Sequence, residues 1–330
     1  MKLLHYLRDG EARPGFLHNS NIIDVMTAAE AIGKSFPRYW EEVIANQARY
    51  MPLLRDLHKM ARDGEFDEIA IDQHMVKLLA PIQRPRSMRD GYAFRQHVET
   101  SRRNRGVEMI PEFDEFPVFY FTNHNAIFGP GEIRVMPEQM KRLDYELEAA
   151  IVIGKQGRNV SAKTADDHIF GLMILNDFSA REAQMQEMKL NLGPAKGKDF
   201  ANAIGPYLVT LDELRDLSHG ADKPHAGLQF NLEMKAYLNG ELISQGNLNT
   251  MNWTFAEIIE RVSYGVDIYP NDIIGSGTVG TGCLLEINGT RKLENPDYEP
   301  VWLKDGDRIR LEIQELGVLE NRIAAIEVKA

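Results

Sequence analysis

A chain of 330 residues, 43% of them hydrophobic and 26% charged, with a mean hydropathy of −0.35, can bury a large core and is not a membrane, fibrous or disordered protein. A formal charge of −11 and a pI near 5.4 oppose nucleic acid and anionic membranes as partners, and they repel acidic metabolites from any site that lacks its own cations. The single cysteine, Cys283, excludes an internal disulfide and a cysteine-rich zinc site.

At the N-terminus, Arg8 and Asp9 come before any apolar stretch long enough for a leader, so the expected location is cytoplasmic. The sequons at Asn159, Asn252 and Asn288 then read as chance matches. Residues 1 to about 25 read as a hairpin around Arg8-Asp9-Gly10. Next, Trp40, Val43, Ile44, Ala48, Met51, Leu54, Leu57 and Ala61 recur at helical spacing, with Pro52 expected to open a second helix. The stretch LLAPIQRPR, Leu78 to Arg86, reads as an extended linker, which divides the chain into a hairpin and helical part, 1–78, and a catalytic part, 79–330. Beyond it, short apolar strands dominate: PVFYF, EIRV, YELEAAIVIG, FGLMILNDF, GPYLVT, LQFNLEMKAYLNG, DIIGSGT, CLLEING and RIRLEI. Helical spacing is confined to Ala165–Phe170, Ala180–Lys189 and Thr254–Tyr264. The expected class is α+β, mainly β, a roll or sandwich with peripheral helices.

Glu146 and Glu148 stand two apart on an expected strand, so both point to one face. Such a pair alone also describes a solvated strand face. Asn176 and Asp177, however, end the apolar run LMIL, and a carboxylate there is buried and costly unless paired or bound to metal. With Asp90 as a fourth candidate, an all-oxygen set specifies Mg²⁺, Mn²⁺ or Ca²⁺ rather than zinc. His97, in RDGYAFRQHVETSRRNRG, reads either as part of a solvated basic segment or as a general base on a mobile lid. Glu286, expected at a strand end before an Asn288-Gly289 turn, is the candidate to orient it. Arg181, Gln184, Lys198 and the glycine-rich Gly275–Gly282 stretch with Thr278 could hold an anion. Gly275, Gly277 and Gly280 satisfy G-x-G-x-x-G, but no helix is expected to follow, which argues against a dinucleotide site. No G-x-S-x-G, H-E-x-x-H or P-loop is found.

Taken in order, these segments resemble the fumarylacetoacetate hydrolase family over roughly residues 80–315. Asp90, Tyr92 and His97 match its D-x-Y-x-x-x-x-H; Asp144 to Glu148 match D-[YF]-E-x-E; Asn176 to Arg181 match N-D-x-S-A-R. Gly197 to Phe200, then Gly205-Pro206, match G-K-x-F and G-P; Gly275 to Thr278 and Glu286 match the closing G-S-G-T and L-E. The resemblance implies that family's mixed β-sandwich or roll, with a small N-terminal α+β domain. It implies a cation on Asp90, Glu146, Glu148 and Asp177, and a water activated by His97 with Glu286. Substrate contacts are implied from Tyr92, Arg181, Gln184, Lys198 and Thr278, with Lys198 and Gln184 as oxyanion donors, and a homodimer is implied as well. The expected reaction is hydrolysis of a C–C bond in a small anionic β-diketo acid, of fumarylacetoacetate or acylpyruvate type. Decarboxylation, isomerisation or hydration of a 2-keto or 2-hydroxydienoic acid on the same metal, or metabolite binding without turnover, are the alternatives.

Overall fold

The computed structural model describes residues 1–327. Its backbone is organised by two sheets. In the larger, twelve-stranded sheet the spatial order is Ile71–Asp72, Asn21–Asp24, Glu11–His18, Lys2–Arg8, Asn202–Thr210, Ile169–Asp177, Leu147–Ile153, Asp272–Gly275, Ser87–Gly91 and Phe119–Phe121, with Leu78–Leu79 and Ile127–Phe128 paired beside this path. The second sheet runs Glu241–Asn247, Glu233–Leu238, Arg308–Ile313, Gly317–Ala325, Gly131–Val135. The expected mainly-β α+β class is what the chain forms.

Alternation along the central strands supplies two cores. Leu147, Ala149, Ile151 and Ile153 face Met234, Ala236, Leu311 and Leu319 between the sheets. Ala150, Val152, Met173 and Leu175 face the opposite way, where Trp40, Leu54 and Leu57 cover them. The N-terminal apolar stripe therefore packs onto the catalytic strands, Ala48 excepted, which is exposed.

Three expectations are corrected here. Pro52 does not open a helix: it lies inside Gln47–Arg62, and the chain breaks earlier at Asn46 (φ −129°, ψ 45°). The 78–86 segment is not a bare linker, since Tyr6 pairs with Leu78, and Ala80 and Ile82 are buried. CLLEING is no strand; it opens the helix Leu284–Glu294. The first free amides of that helix, those of Leu284 and Leu285, donate to the Asp144 carboxylate at 2.7 and 3.0 Å, a cap supplied from 140 residues away that no local pattern reveals.

The N-terminal meander is pinned by Asp24, which is 1% exposed. It accepts from Tyr6 Oη at 2.5 Å, from Arg13 Nε and Nη2 at 2.7 Å each, and from Thr27 N at 2.7 Å as the cap of Val25–Ala31. Asp24→Ala leaves a guanidinium and a buried phenol without their acceptor, so a loss of about 3 kcal/mol or more is expected in the urea unfolding free energy. A loss below about 1 kcal/mol would show that the cluster adds little to stability.

Candidate metal and proton-transfer site

The acids converge because of strand direction. Leu147–Ile153 is antiparallel to both Ile169–Asp177 and Asp272–Gly275, and Asp272–Gly275 is parallel to Ser87–Gly91. One strand start and three strand ends therefore meet at one edge. Glu146, Glu148, Asp177 and Asp90 share the parity of Ala150, Met173 and Met88, so all four point to the face that the N-terminal helices cover further along. Carboxylate oxygens of the four lie mutually within 4.8 Å, and each residue is buried.

Glycine makes this approach possible. A Cβ on Gly275 would stand 2.2 Å from Asp90 Oδ1. Gly277, at φ +79°, turns its N–H to Asp90 Oδ1 and Glu148 Oε2, 3.1 Å each, and Thr278 Oγ1 donates to Glu148 Oε1 at 3.2 Å. These donors serve the acids in this arrangement. A helix does follow the G-x-G-x-x-G stretch, contrary to expectation, but its leading amides belong to Asp144, which leaves no anion cradle for a dinucleotide phosphate.

Two cations enter the cluster. Lys198 Nζ donates to Glu146 Oε2 and, at 2.6 Å, to Asp177 Oδ2. Arg181 donates to Asp144 and Glu146 at 2.8 Å each, and to Gln184 Oε1 at 2.9 Å. Gly197 permits this, since a Cβ there would meet the Gln184 backbone at 2.7 Å. Tyr120 Oη also donates to Asp177 Oδ2, at 2.5 Å.

Burial, then repulsion from Asp177, pushes the Asp90 carboxyl up to about 7. Burial also raises Asp177, to about 6 against the pull of Lys198, and with Asp90 beside it holds Glu148 well above the carboxylate range. For Glu146, Lys198 and Arg181 outweigh burial and hold the carboxyl low.

This donor set fits a hard divalent cation. Five carboxylates, Asp144 included, face two cationic side chains, and Asp177 Oδ1 is buried with no hydrogen-bond partner among the described residues. The sign of its pH dependence follows. Asp90 and Asp177 bind protons more tightly folded than at their ordinary 3.8, so the cation-free site loses stability as pH rises from about 4 to about 7. A bound cation offsets that loss. The thermal shift produced by Mg²⁺ is therefore expected to grow between about pH 5 and 7.5. A shift that shrinks with rising pH would contradict the ligand set.

His97 lies on the helix Arg95–Arg103, not on a solvated segment: His97 and Val98 are buried while Arg103 and Arg105 face outward. Its Nδ1 is 2.7 Å from Glu286 Oε2, and since an ionised carboxylate only accepts, Nδ1 carries the proton. The Asn288-Gly289 pair makes no turn. Gly289 sits within the helix and lets Asn104 close in, where Asn104 Nδ2 donates to the Glu286 carbonyl at 3.0 Å. Tyr92 stacks edge-on against the imidazole at 5.6 Å. Burial pushes its phenol up to about 12.

The structure thus brings together Asp90, Tyr92, His97, Glu146, Glu148, Asp177, Arg181, Gln184, Lys198, Thr278 and Glu286. Asp144 and Tyr120 were not singled out as site residues. Asp144 carried a signal, the two-residue step from Asp144 to Glu146 to Glu148; Tyr120 carried none.

Comparison with known proteins places these features among relatives. A family model described as "Fumarylacetoacetate (FAA) hydrolase C-terminal" matches residues 86–324. The chain is 34% identical over 208 residues to the human mitochondrial oxaloacetate tautomerase FAHD2A, covering 63% of this chain and 59% of that protein, so under two thirds of that relative is spanned. It is 29% identical over 316 residues to the oxaloacetate tautomerase YisK of Bacillus subtilis, covering 93% and 94%. A maleylpyruvate hydrolase from Sphingobium sp. SYK-6, solved with manganese (II) and pyruvate, superposes with a TM-score of 0.67 at 21% identity, covering 99% of this chain and 100% of that one. Among the described residues no helix is long and apolar enough to cross a membrane.

Proposed function

The chain belongs to the fumarylacetoacetate hydrolase family and is an enzyme of that family, and on this premise we propose that it moves a proton on a small β-oxo diacid held at the carboxylate cluster, interconverting keto and enol forms of an oxaloacetate-like substrate. One observation carries the reading: the hydrogen-bonded His97–Glu286 pair abuts the four-acid cluster, with a His97 nitrogen within 4.8 Å of a Glu146 oxygen.

Asp90, Glu146, Glu148 and Asp177 would hold Mg²⁺ or Mn²⁺, which when bound acts as a Lewis acid toward a chelated 2-oxo acid. Glu286 fixes the ring of His97 through Nδ1 and leaves Nε2 as the acceptor, so the imidazole takes a proton from the carbon between the ketone and the adjacent carboxyl group and delivers it to the ketone oxygen, which gives the enol; the reverse transfer restores the keto form. Lys198 and Gln184 supply donors to the oxygen on which charge develops, while Tyr92 packs edge-on against the His97 ring and Thr278 donates to Glu148. Arg181 neutralises Asp144 and Glu146 and orients Gln184.

The same pair favours a second reading, hydrolysis of a β-diketo acid of fumarylacetoacetate or acylpyruvate type. There His97 takes a proton from water, the hydroxide adds to one carbonyl, the adjacent C–C bond breaks, and the released carbon is protonated. Tautomerisation is preferred because the human and Bacillus subtilis relatives are oxaloacetate tautomerases, the latter matched over 93% of this chain, whereas the fumarylacetoacetase of Arabidopsis thaliana, 32% identical, is matched over 57% of this chain and 49% of that protein.

The test follows the enol absorbance of oxaloacetate with Mg²⁺, Mn²⁺ or EDTA, beside loss of diketone absorbance from fumarylacetoacetate and acylpyruvates. Cation-dependent acceleration of enol–ketone exchange is expected. Stoichiometric acid products from a diketone would instead establish hydrolysis, and no acceleration with either substrate class would overturn both readings.

A further inference from the structure

Cys283 takes no part in this chemistry, yet it completes a second set of ligand types. Its Sγ, a nitrogen of His97 and a carboxylate oxygen of Glu146 lie mutually within 4.8 Å, and all three residues are buried, Cys283 completely. Thiolate, imidazole and carboxylate form a donor set for Zn²⁺ or Cd²⁺, three protein ligands with a position left open, and a poor one for Mg²⁺. The supporting contact is also present. Nδ1 of His97 is committed to Glu286 at 2.7 Å, which fixes the ring and leaves Nε2 for a metal, the arrangement in which a carboxylate backs a ligating histidine. Glu286 Oε1, buried without a partner among the described residues, keeps further acceptor capacity beside the ring.

We infer that His97, Glu146 and Cys283 form a binding site for a thiophilic divalent cation, distinct from the four-acid cluster and sharing only Glu146 with it. Binding exchanges the thiol proton for the cation and releases that proton to solvent. A cation held there occupies the one imidazole nitrogen that Glu286 leaves available, so the site is inhibitory. The binding is independent of the proposed reaction; the inhibition rests on it.

Because the sequence contains one cysteine, any thiolate-to-metal charge-transfer band must arise at Cys283. The experiment titrates the full-length protein with Cd²⁺ in excess Mg²⁺, reading that ultraviolet band and the enol–ketone rate together. Expected are a band saturating at one equivalent and a rate that falls in step with it. In Cys283→Ser the band is expected to vanish, the Mg²⁺-supported rate to persist, and inhibition by Zn²⁺ or Cd²⁺ to weaken by more than about tenfold.

Absence of the band at saturating Cd²⁺ in the unmodified protein overturns the site, whatever the variant's folding. Undiminished inhibition of a folded Cys283→Ser protein overturns it equally. A band without loss of rate keeps the binding site and instead removes His97 as the base, which separates failure of the inference from failure of the proposed function.

Discussion

His97→Ala is expected to lower turnover by about 10² to 10⁴-fold while leaving Mg²⁺ affinity unchanged. The expectation is this large because the neighbouring acids Asp90, Glu146, Glu148 and Asp177 are the proposed cation ligands, and the other groups nearby stay protonated. Tyr92 is held up to about 12 by burial, and burial holds Tyr120 and Cys283 well above their ordinary values, so none supplies an unprotonated base near neutral pH. Lys198 is kept cationic, Asp177 and Glu146 outweighing the effect of burial. Glu286→Gln should reproduce part of the loss, since an amide can donate to Nδ1 and move the ring proton to the nitrogen that must accept. The readouts are kcat against calorimetric cation binding on the same preparations. If His97→Ala keeps more than about a third of the turnover, the base lies elsewhere.

Glu148→Gln separates metal binding from stability in opposite directions. Glu148 is fully buried, and its partners are a backbone amide and a hydroxyl, Gly277 N and Thr278 Oγ1; among the described residues no cationic side chain donates to it. Its charge is opposed by burial first and by Asp90 next. Removing that charge at constant volume is therefore expected to leave the cation-free protein as stable as before or more so. Cation affinity should fall by about 10²-fold or more, and the thermal shift with Mg²⁺ should disappear. Calorimetry together with a melting curve in EDTA checks both signs. Retained tight Mg²⁺ binding would remove Glu148 from the ligand set, and marked destabilisation in EDTA would show that its charge is compensated by something other than a cation. Glu146 makes a useful contrast, since Lys198 and Arg181 both donate to it and its removal leaves them buried without that partner.

Local patterns carried the reading wherever one strand or one helix face sufficed. Alternation in DYELEAAIVIG set Glu146 and Glu148 on one face, and the apolar run before Asp177 showed a carboxylate that solvent does not reach. The reading failed where a distant residue supplied what the local sequence lacks. CLLEING has the composition of a strand and an Asn-Gly turn signal, yet it is helical because Asp144 caps it and because Gly289 lets Asn104 approach. Pro52 looked like a helix start, but the helix begins at Gln47 with the proline inside it.

By itself the sequence supplied the candidate groups, oxygen donors for a hard cation and an imidazole with a carboxylate to orient it, and a family resemblance that the match over residues 86–324 bears out. Their meeting was decided by the tertiary structure alone. Antiparallel pairing brings one strand start beside three strand ends, and the packing of the Arg95–Arg103 helix on the Leu284–Glu294 helix places His97 against Glu286 across 189 positions. That pairing also brings Cys283 to the imidazole. Such distances in sequence leave no periodic trace, because what holds these groups together is sheet register and helix contact, not the spacing of neighbours along the chain.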